Sequence, residues 1–204
     1  ALSPGLVVTA RSSAALIPFV LVPLCAIAWL ARLTAQRDEQ ARIDPLTGLV
    51  NRRGLLAEVV RELPVHAEQA AKGVHGRHLA LLLVDLDRFK QVNDTLGHAA
   101  GDRLLVEVAG RISRAVRPED VVARLGGDEF AILATRLRDA ADARAVAARV
   151  TAALSEPVPI DGLPLEVGGS VGIAVYPEHG LDFATLMRHA DVAMYDAKHR
   201  GDTL

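Results

Sequence analysis

The stretch VVARLGGDEFAILA, residues 121–134, decides the fold class of this chain. Two short apolar runs, Val121–Leu125 and Phe130–Ala134, flank the pair Gly126-Gly127, and this pattern predicts two antiparallel strands joined by a tight turn. Helix and strand patterns alternate elsewhere, but the hairpin requires antiparallel pairing. The sequence therefore predicts an α/β (α+β) sandwich with helices packed on an antiparallel sheet, and not a doubly wound parallel sheet.

Two more strands and four helices are predicted around this hairpin. Leu79–Val84 is a continuous apolar run, which suits a strand buried on both faces, and a glycine-interrupted run predicts the strand Leu165–Tyr176. Apolar residues at helical spacing predict the helices. The predicted helices are 51–63, 101–116, 138–154 and 183–199. In the first helix, one buried stripe is expected to consist of Leu55, Leu56, Val59, Val60 and Leu63.

An uncharged segment, Ser12–Ala31, precedes this domain. As a helix it would span about 30 Å, the thickness of the hydrocarbon layer of a bilayer, so the sequence predicts one transmembrane helix. The alternatives are a signal-peptide core, which is usually shorter, or a buried soluble helix. The predicted organisation is an N-terminal flank (1–11), a transmembrane helix (12–31), a helical connector (32–43) and a globular domain (44–204).

The basic residues around this segment predict its orientation. Arg32, Arg37 and Arg42 follow the segment, whereas Arg11 is the only basic residue before it. Because basic residues favour the cytoplasmic side, the globular domain is expected in the cytoplasm and the chain in the inner or plasma membrane.

The composition excludes several classes of protein. Across 204 residues, 23 basic and 25 acidic side chains give a net charge of −2, which argues against a broad basic face for DNA or RNA. With 50% hydrophobic residues the chain is not of the disordered class. The single cysteine, Cys25, excludes a disulfide framework.

Four acidic residues fall at the ends of two predicted strands. Asp85 and Asp87 end the buried strand in VDLDRFK (residues 84–90), and Asp128 and Glu129 follow the glycine pair. Carboxylates at such positions suit Mg²⁺, which prefers oxygen ligands and keeps phosphate and water ligands as well. Sites of this kind serve phosphoryl or nucleotidyl transfer. Capped strand ends, salt bridges and solvated hairpin acids are the alternatives for these four residues.

Five blocks of the sequence identify a family resemblance. They are DPLTGLVNRRG (Asp44–Gly54), VDLDRFKQVNDTLGHAAGD (Val84–Asp102), GGDEF (Gly126–Phe130), SVGIAVYP (Ser170–Pro177) and ADVAMYDAK (Ala190–Lys198). From Asp44 to Gly201 the chain resembles the GGDEF family, the diguanylate cyclases. The resemblance implies a fold like the nucleotidyl-cyclase and polymerase palm, with a central five-stranded, largely antiparallel sheet surrounded by helices. It also implies that two facing domains, a homodimer, convert two GTP into cyclic di-GMP and two pyrophosphates.

The resemblance assigns roles to individual residues of the expected site. The metal ligands, for Mg²⁺ or alternatively Mn²⁺, would be Asp85, the Leu86 carbonyl, Asp128 and Glu129. Asp128 and Glu129 are also the expected catalytic residues, Glu129 as the acid required for turnover. The residues expected to bind GTP are Asn93 and Asp102 (guanine), Lys90 and Lys198 (phosphates), and Gly126 and Gly127, which leave room for the phosphates. The alternatives are a turn-forming asparagine, a helix-start aspartate and solvated lysines.

Two further positions bear on regulation and activity. Arg117 and Asp120 form the RPED string that matches the family's product-inhibition site, where cyclic di-GMP binds; a local ion pair is the alternative reading. The family usually continues from its second lysine as Lys-x-x-Gly-Arg, but this chain has Asp202 where that triphosphate-binding arginine stands. The sequence therefore allows a second function: a weak or inactive module that binds GTP and regulates an attached domain, such as an EAL phosphodiesterase.

The DPLTGLVNRRG block is expected to have a structural role. Asp44, Arg52 and Arg53 would fix the end of the connector against the domain, and contact with the nucleotide is not expected of them.

Overall fold

A computed structural model describes residues 42–71 and 78–200 of the chain, with side chains for all of these except 69–71 and 200. The predicted transmembrane helix (12–31), nearly all of the predicted connector (32–43) and Asp202 lie outside the described residues. Within the described ranges, no helix has the combination of length and apolar character that a membrane span requires.

Strands and helices are interspersed along the described residues. In chain order they are β1 (Val50–Asn51), α1 (Arg52–Ala71), β2 (His78–Leu86), α2 (Phe89–Leu96), α3 (His98–Ala115), β3 (Val121–Gly126), β4 (Glu129–Leu137), α4 (Ala140–Ser155), β5 (Val158–Ile160), β6 (Leu163–Leu165), β7 (Gly169–Tyr176) and α5 (Phe183–Arg200).

The predicted five-stranded, largely antiparallel sheet is confirmed. Its strand order is β1-β3-β4-β2-β7, and only the short β1 runs parallel to its neighbour, β3. The hairpin predicted around Gly126 and Gly127 is the antiparallel pair β3–β4. The strand β2 lies between β4 and β7 and pairs antiparallel with both. A separate two-stranded hairpin is formed by β5 and β6.

Both faces of the sheet are covered, because the apolar run of β2 has no polar face. One set of its side chains, including Leu82 and Val84, packs with residues of α3 and α4. The alternate set, including Leu81 and Leu83, packs with residues of α1 and α5. Asp85 continues the second set, because side chains alternate along a strand. The strand therefore delivers this carboxylate on the α1/α5 face.

Three local predictions differ from the structure. Helix α1 continues through Pro64 to Ala71, and its buried stripe is narrower than predicted: Leu55 and Val59 are fully buried, but Leu56 and Val60 are 42% and 58% exposed. A helix that covers one side of a sheet buries only the residues that face it. The short helix α2 was not predicted, because eight residues carry too little periodicity.

The third difference is that the glycine-rich run Leu165–Tyr176 does not form one strand. Its first residue ends β6, and β7 begins at Gly169. Within β7, a Cβ on Gly172 would overlap backbone atoms of Ala190 and Met194 in α5. The glycine therefore lets α5 approach the sheet closely, and this approach brings the C-terminal part of α5 towards the end of β2.

Candidate active site

Strands β2 and β4 place two carboxylates opposite each other. Asp85 and Glu129 are paired across the two strands, and both belong to the series that emerges on the α1/α5 face, with Leu83 and Ala131 two residues away. Directly opposed residues of an antiparallel pair have Cβ atoms about 4.5–5.5 Å apart, and like charges in this arrangement repel. A cation between or beside these acids is therefore stabilising.

The hairpin turn brings Asp128 to the same strand end. The carbonyl oxygen of Asp128 accepts a hydrogen bond from the Leu86 amide at 3.3 Å, so the turn is held against the end of β2. The side chain of Leu86 is a buried hydrocarbon, so only the carbonyl oxygen of this residue could bind a cation. The neighbouring Asp87 is held separately, by a 3.1 Å hydrogen bond from the Ser170 hydroxyl.

Lys198 of α5 provides a positive charge at this cluster. Its Nζ lies 2.5 Å from Oδ1 of Asp85. The hydrogen bond to Asp85 raises the pKa of Lys198 above its ordinary value; partial burial opposes this, and the charges of Asp85, Asp87 and Asp128 support it. Three carboxylates thus act on one ammonium group, so this is a point of concentrated negative potential.

The donor set at this point fits a hard divalent cation. Every predicted ligand is an oxygen, from the carboxylates of Asp85, Asp128 and Glu129 and the carbonyl of Leu86. In the part of the chain that the structure describes, no three His, Cys, Asp or Glu side chains converge to form a metal centre by themselves. Mg²⁺ suits such a site, because it is usually held by one or two carboxylates together with substrate phosphates and water.

The glycine pair forms an open turn above these acids. Gly126 and Gly127 have φ angles of +143° and +52°, and a Cβ built on either would meet nothing within 4 Å. Glycine adopts both angles without strain, and the φ of Gly126 is far from the values that the non-glycine residues of this domain adopt. The open space is what the predicted approach of phosphates requires.

Arg124 fixes this turn, a contact that the sequence analysis missed. Its Nε and Nη2 donate to the Gly127 carbonyl at 3.0 and 2.8 Å. Its Nη1 reaches both carboxylate oxygens of Asp44, at 3.3 and 3.2 Å. The only signal in the sequence is an arginine that interrupts an apolar strand, and nothing in that signal identifies its partners.

Asp44 holds the start of the described domain. Its Oδ2 accepts hydrogen bonds from the amide and hydroxyl of Thr47, at 2.9 and 2.7 Å. Burial raises the pKa of Asp44, but the hydrogen bonds from Thr47 and Arg124 and the charge of Arg124 outweigh burial, so the pKa lies below its ordinary value. Through Arg124, Asp44 therefore connects the first described residues of the domain with the glycine turn.

The two residues predicted to read guanine lie at the junction of α2 and α3, which meet at Gly97. Oδ1 of Asn93 is buried and has no hydrogen-bond partner. It packs where Gly101 has no side chain, because a Cβ there would overlap it. Asp102 is the next residue, exposed, and it lines a cavity of about 460 Å³ together with Leu46. A buried amide oxygen without a partner and an adjacent free carboxylate suit a base with N–H groups.

Lys90 and the RPED turn lie outside the acid cluster. Lys90 is exposed in the first turn of α2. In the turn before β3, Asp120 is 9% exposed, and its two oxygens accept hydrogen bonds from the amides of Arg117 and Thr135, both at 3.1 Å. The Arg117 side chain is exposed. Asp120 thus stabilises its own turn, while the arginine is presented to solvent.

Arg52 has a neighbour that its expected role did not include. Its Nη2 is 3.9 Å from Oε2 of Glu129, and the two side chains are 57% and 48% exposed. The contacts of Asp44 lie within the described domain, whereas Arg52 lies beside an acid of the predicted site. The role of the DPLTGLVNRRG block towards the connector stays a prediction.

Comparisons with known proteins identify the family of this chain. Residues 41–203 match the family described as "Diguanylate cyclase, GGDEF domain". The chain is 44% identical over 179 residues to the diguanylate cyclase TpbB of Pseudomonas aeruginosa, covering 84% of this chain and 39% of TpbB. It is 39% identical over 167 residues to the cyclic di-GMP phosphodiesterase NbdA of the same species, covering 82% of this chain and 20% of NbdA. The chain spans about two fifths or less of the length of these relatives.

A solved structure supports the same assignment. The GGDEF domain of TpbB from Pseudomonas aeruginosa matches with a TM-score of 0.73 at 43% identity, covering 78% of this chain and 89% of that chain. The predicted palm-like arrangement of sheet and helices is therefore confirmed. The chain belongs to the GGDEF family, the family of the diguanylate cyclase domain.

Proposed function

We propose that this chain is a membrane-anchored diguanylate cyclase, which condenses two GTP into cyclic di-GMP and two pyrophosphates. The observation that carries the proposal is the pairing of Asp85 with Glu129 across β2 and β4, beside Asp128, Lys198 and an open glycine turn. This combination offers oxygen ligands for a divalent cation, a positive group for phosphate, and space for the triphosphate.

Different residues bind the base of GTP, its phosphates and the cation. Asn93 and Asp102 accept hydrogen bonds from the guanine base. Lys198 and Lys90 bind phosphate oxygens, and Gly126 and Gly127 let the phosphate chain pass close to the backbone. A divalent cation held by Asp85, Asp128 and the Leu86 carbonyl would neutralise charge on the transferred phosphate.

The chemical step joins two nucleotides. The 3′-oxygen of one GTP forms a bond to the α-phosphorus of the other, the bond from that phosphorus to the β-phosphate oxygen breaks, and pyrophosphate leaves. Glu129, which is half exposed at the start of β4, accepts the proton of the attacking hydroxyl. In the second step the 3′-oxygen of the other nucleotide bonds to the α-phosphorus of the first, the second pyrophosphate leaves, and the ring closes.

Each domain holds one nucleotide, so the proposal includes a homodimer with two facing sites. A second domain supplies the attacking hydroxyl, and its effective concentration sets the rate. Tethering by the predicted transmembrane helix would raise that concentration. Cyclic di-GMP bound at the exposed Arg117, beside Asp120, would then slow the enzyme as product accumulates.

The alternative is a GTP-binding module that regulates another domain. Two observations favour it: Asp202 stands where the family has a triphosphate-binding arginine, and one relative of 39% identity is named as a cyclic di-GMP phosphodiesterase. A carboxylate near the triphosphate would weaken binding of the substrate. In this alternative GTP binds to the site without condensation.

The deciding experiment incubates the purified chain with GTP and Mg²⁺ and separates the nucleotides by chromatography. The cyclase is expected to form cyclic di-GMP and two equivalents of pyrophosphate, and Glu129→Gln is expected to lower this rate at least about 100-fold, as for loss of a general base. The melting temperature of the variant should not fall, because the change removes a like charge opposite Asp85. Binding of GTP without product, at high protein concentration, would support the regulatory module and refute the cyclase.

A further inference from the structure

A cavity of about 330 Å³ lies beside the Asp85–Glu129 pair, between the first turn of α1 and the middle of α5. Leu83 and Leu125 contribute its apolar lining. Its charged lining residues are Arg52, Glu129, Arg188 and Asp191. The cavity therefore adjoins the acid that the proposed function uses for the attacking hydroxyl, and it carries positive groups next to that acid.

The pair Arg52–Glu129 repeats the arrangement of Lys198 and Asp85. Each of the two opposed acids has its own cation, Lys198 from α5 and Arg52 from α1. At 3.9 Å and with both side chains about half exposed, the Arg52–Glu129 pair is loose, and pairs of this kind contribute little to stability. The guanidinium can therefore leave Glu129 at small cost when a stronger anion arrives.

Helix stability does not explain an arginine at this position. Arg52 is the first residue of α1, and the first turn of that helix contains no acidic residue. A positive charge there opposes the helix dipole. The contacts of Arg52 that could matter for function lie outside the helix, where its side chain pairs with Glu129 and lines the cavity.

We propose that Arg52 is a further phosphate-binding residue of the cyclase site, beside the two lysines, an inference that rests on the proposed function. When GTP binds, Arg52 leaves Glu129 and its guanidinium donates two hydrogen bonds to oxygens of the phosphate nearest that acid, which is the α-phosphate under attack. Guanidinium groups bind phosphate in this two-pronged manner, and lysine does so only as a point charge. Lys198 exchanges Asp85 for phosphate in the same event.

Arg52 also supplies a guanidinium group that position 202 of this chain lacks. The family's triphosphate-binding arginine is replaced by Asp202, so the sequence lacks a guanidinium at that position. Arg52 supplies one from the α1 side of the acid pair. Its partner phosphate carries the charge that develops during the reaction, so the residue acts on turnover more than on binding.

The test compares Arg52→Ala and Arg52→Lys with Arg61→Ala as a matched control. Arg61 is an exposed arginine of the same helix that pairs with Glu58 and Glu62 and does not line the cavity. We expect Arg52→Ala to lower kcat by about 100-fold and to raise KM less than about 10-fold, within the range for loss of a transition-state donor. Arg52→Lys should recover part of the rate, and Arg61→Ala should match the wild-type protein.

A second measurement separates contact with phosphate from mere positioning of Glu129. 3′-Deoxy-GTP binds without being able to attack, and its dissociation constant is measured in the presence of Mg²⁺ for Glu129→Gln with and without Arg52→Ala. Phosphate contact predicts that Arg52→Ala weakens binding about 3–10-fold even without the Glu129 carboxylate, in line with the loss of a charged hydrogen bond. The melting temperature of each variant is recorded, and Arg52→Lys replaces Arg52→Ala where the latter does not fold.

The outcomes are distinct. An unchanged dissociation constant in the Glu129→Gln background, or a kcat within about threefold of the Arg61→Ala control, overturns the role of Arg52 and leaves the cyclase standing. A wild-type protein that neither binds 3′-deoxy-GTP nor forms cyclic di-GMP overturns both.

Discussion

The contact of Arg124 with Asp44 and Gly127 predicts a measurable link between stability and activity. Replacing Arg124 by methionine keeps most of the side-chain volume and removes all four contacts of the guanidinium. The side chains of Arg124 and Asp44 are only 12% and 17% exposed, so water replaces little of the lost ion pair, although it can reach the exposed carbonyl of Gly127. The substitution leaves Asp44 with its hydrogen bonds from Thr47 and leaves the Gly127 carbonyl without its donor.

The size of the effect follows from this burial. Breaking a buried ion pair costs about 3–5 kcal/mol and an exposed one about 0–1 kcal/mol. Because the pair is mostly buried and Asp44 keeps other donors, we expect the free energy of unfolding to fall by about 2–3 kcal/mol. For a domain of this size that corresponds to a melting temperature about 5–10 °C lower. Misplacing the turn by a fraction of an ångström should also lower the rate of cyclic di-GMP formation at least about 10-fold.

The pH dependence gives the same prediction a second test. The pKa of Asp44 is lowered in the folded protein, so its contribution to stability is complete above the unfolded-state pKa of about 3.9 and is lost as pH falls through the lowered folded-state value. Part of this lowering comes from Arg124. The difference in stability between wild type and Arg124→Met should therefore be constant near neutral pH and become smaller below about pH 4.

Urea unfolding followed by circular dichroism measures both effects. Arg138→Met is the control, because Arg138 also pairs with an aspartate, Asp142, but is 81% exposed, and its unfolding midpoint should lie close to that of wild type. The reasoning is refuted if Arg124→Met unfolds at the wild-type urea concentration at pH 7, or if it is destabilised as expected but makes cyclic di-GMP at the wild-type rate.

Three further predictions concern the site. Lys198→Met should raise KM for GTP about 10-fold or more through loss of a phosphate contact, as measured from initial rates. Because the pKa of Lys198 is raised, its stabilising bond to Asp85 should persist at neutral pH and be lost only as pH rises through that raised value. Gly101→Ala should displace the Asn93 amide and remove the preference for GTP over ATP in competition binding, with the melting temperature checking the fold. The specific activity of the wild-type chain should fall on dilution, and equal activity across a wide dilution series would contradict the two-domain site.

Much of the fold could be predicted because its signals are local. The apolar run Leu79–Val84 and the runs flanking Gly126-Gly127 encode strands and a turn through period-two alternation and glycine backbone freedom. The motif blocks also singled out Asp85, Asp128 and Glu129, which the structure brings to neighbouring strand ends. Helix α2 was missed because its eight residues are too few for a helical period to be recognised. The split of the glycine-rich run was missed because the strand β6 has only three residues.

The pairing of the functional side chains comes from the tertiary structure. Arg124 and Asp44 are 80 residues apart, and Lys198 and Asp85 are 113 apart, so no local pattern connects them. Asp85 faces Glu129 because of the register of β2 against β4, and Lys198 arrives there because Gly172 lets α5 lie close to the sheet. The local sequence pattern determines which segments become strands, helices and turns. Register and packing, which depend on the whole core fitting together, decide which charges meet.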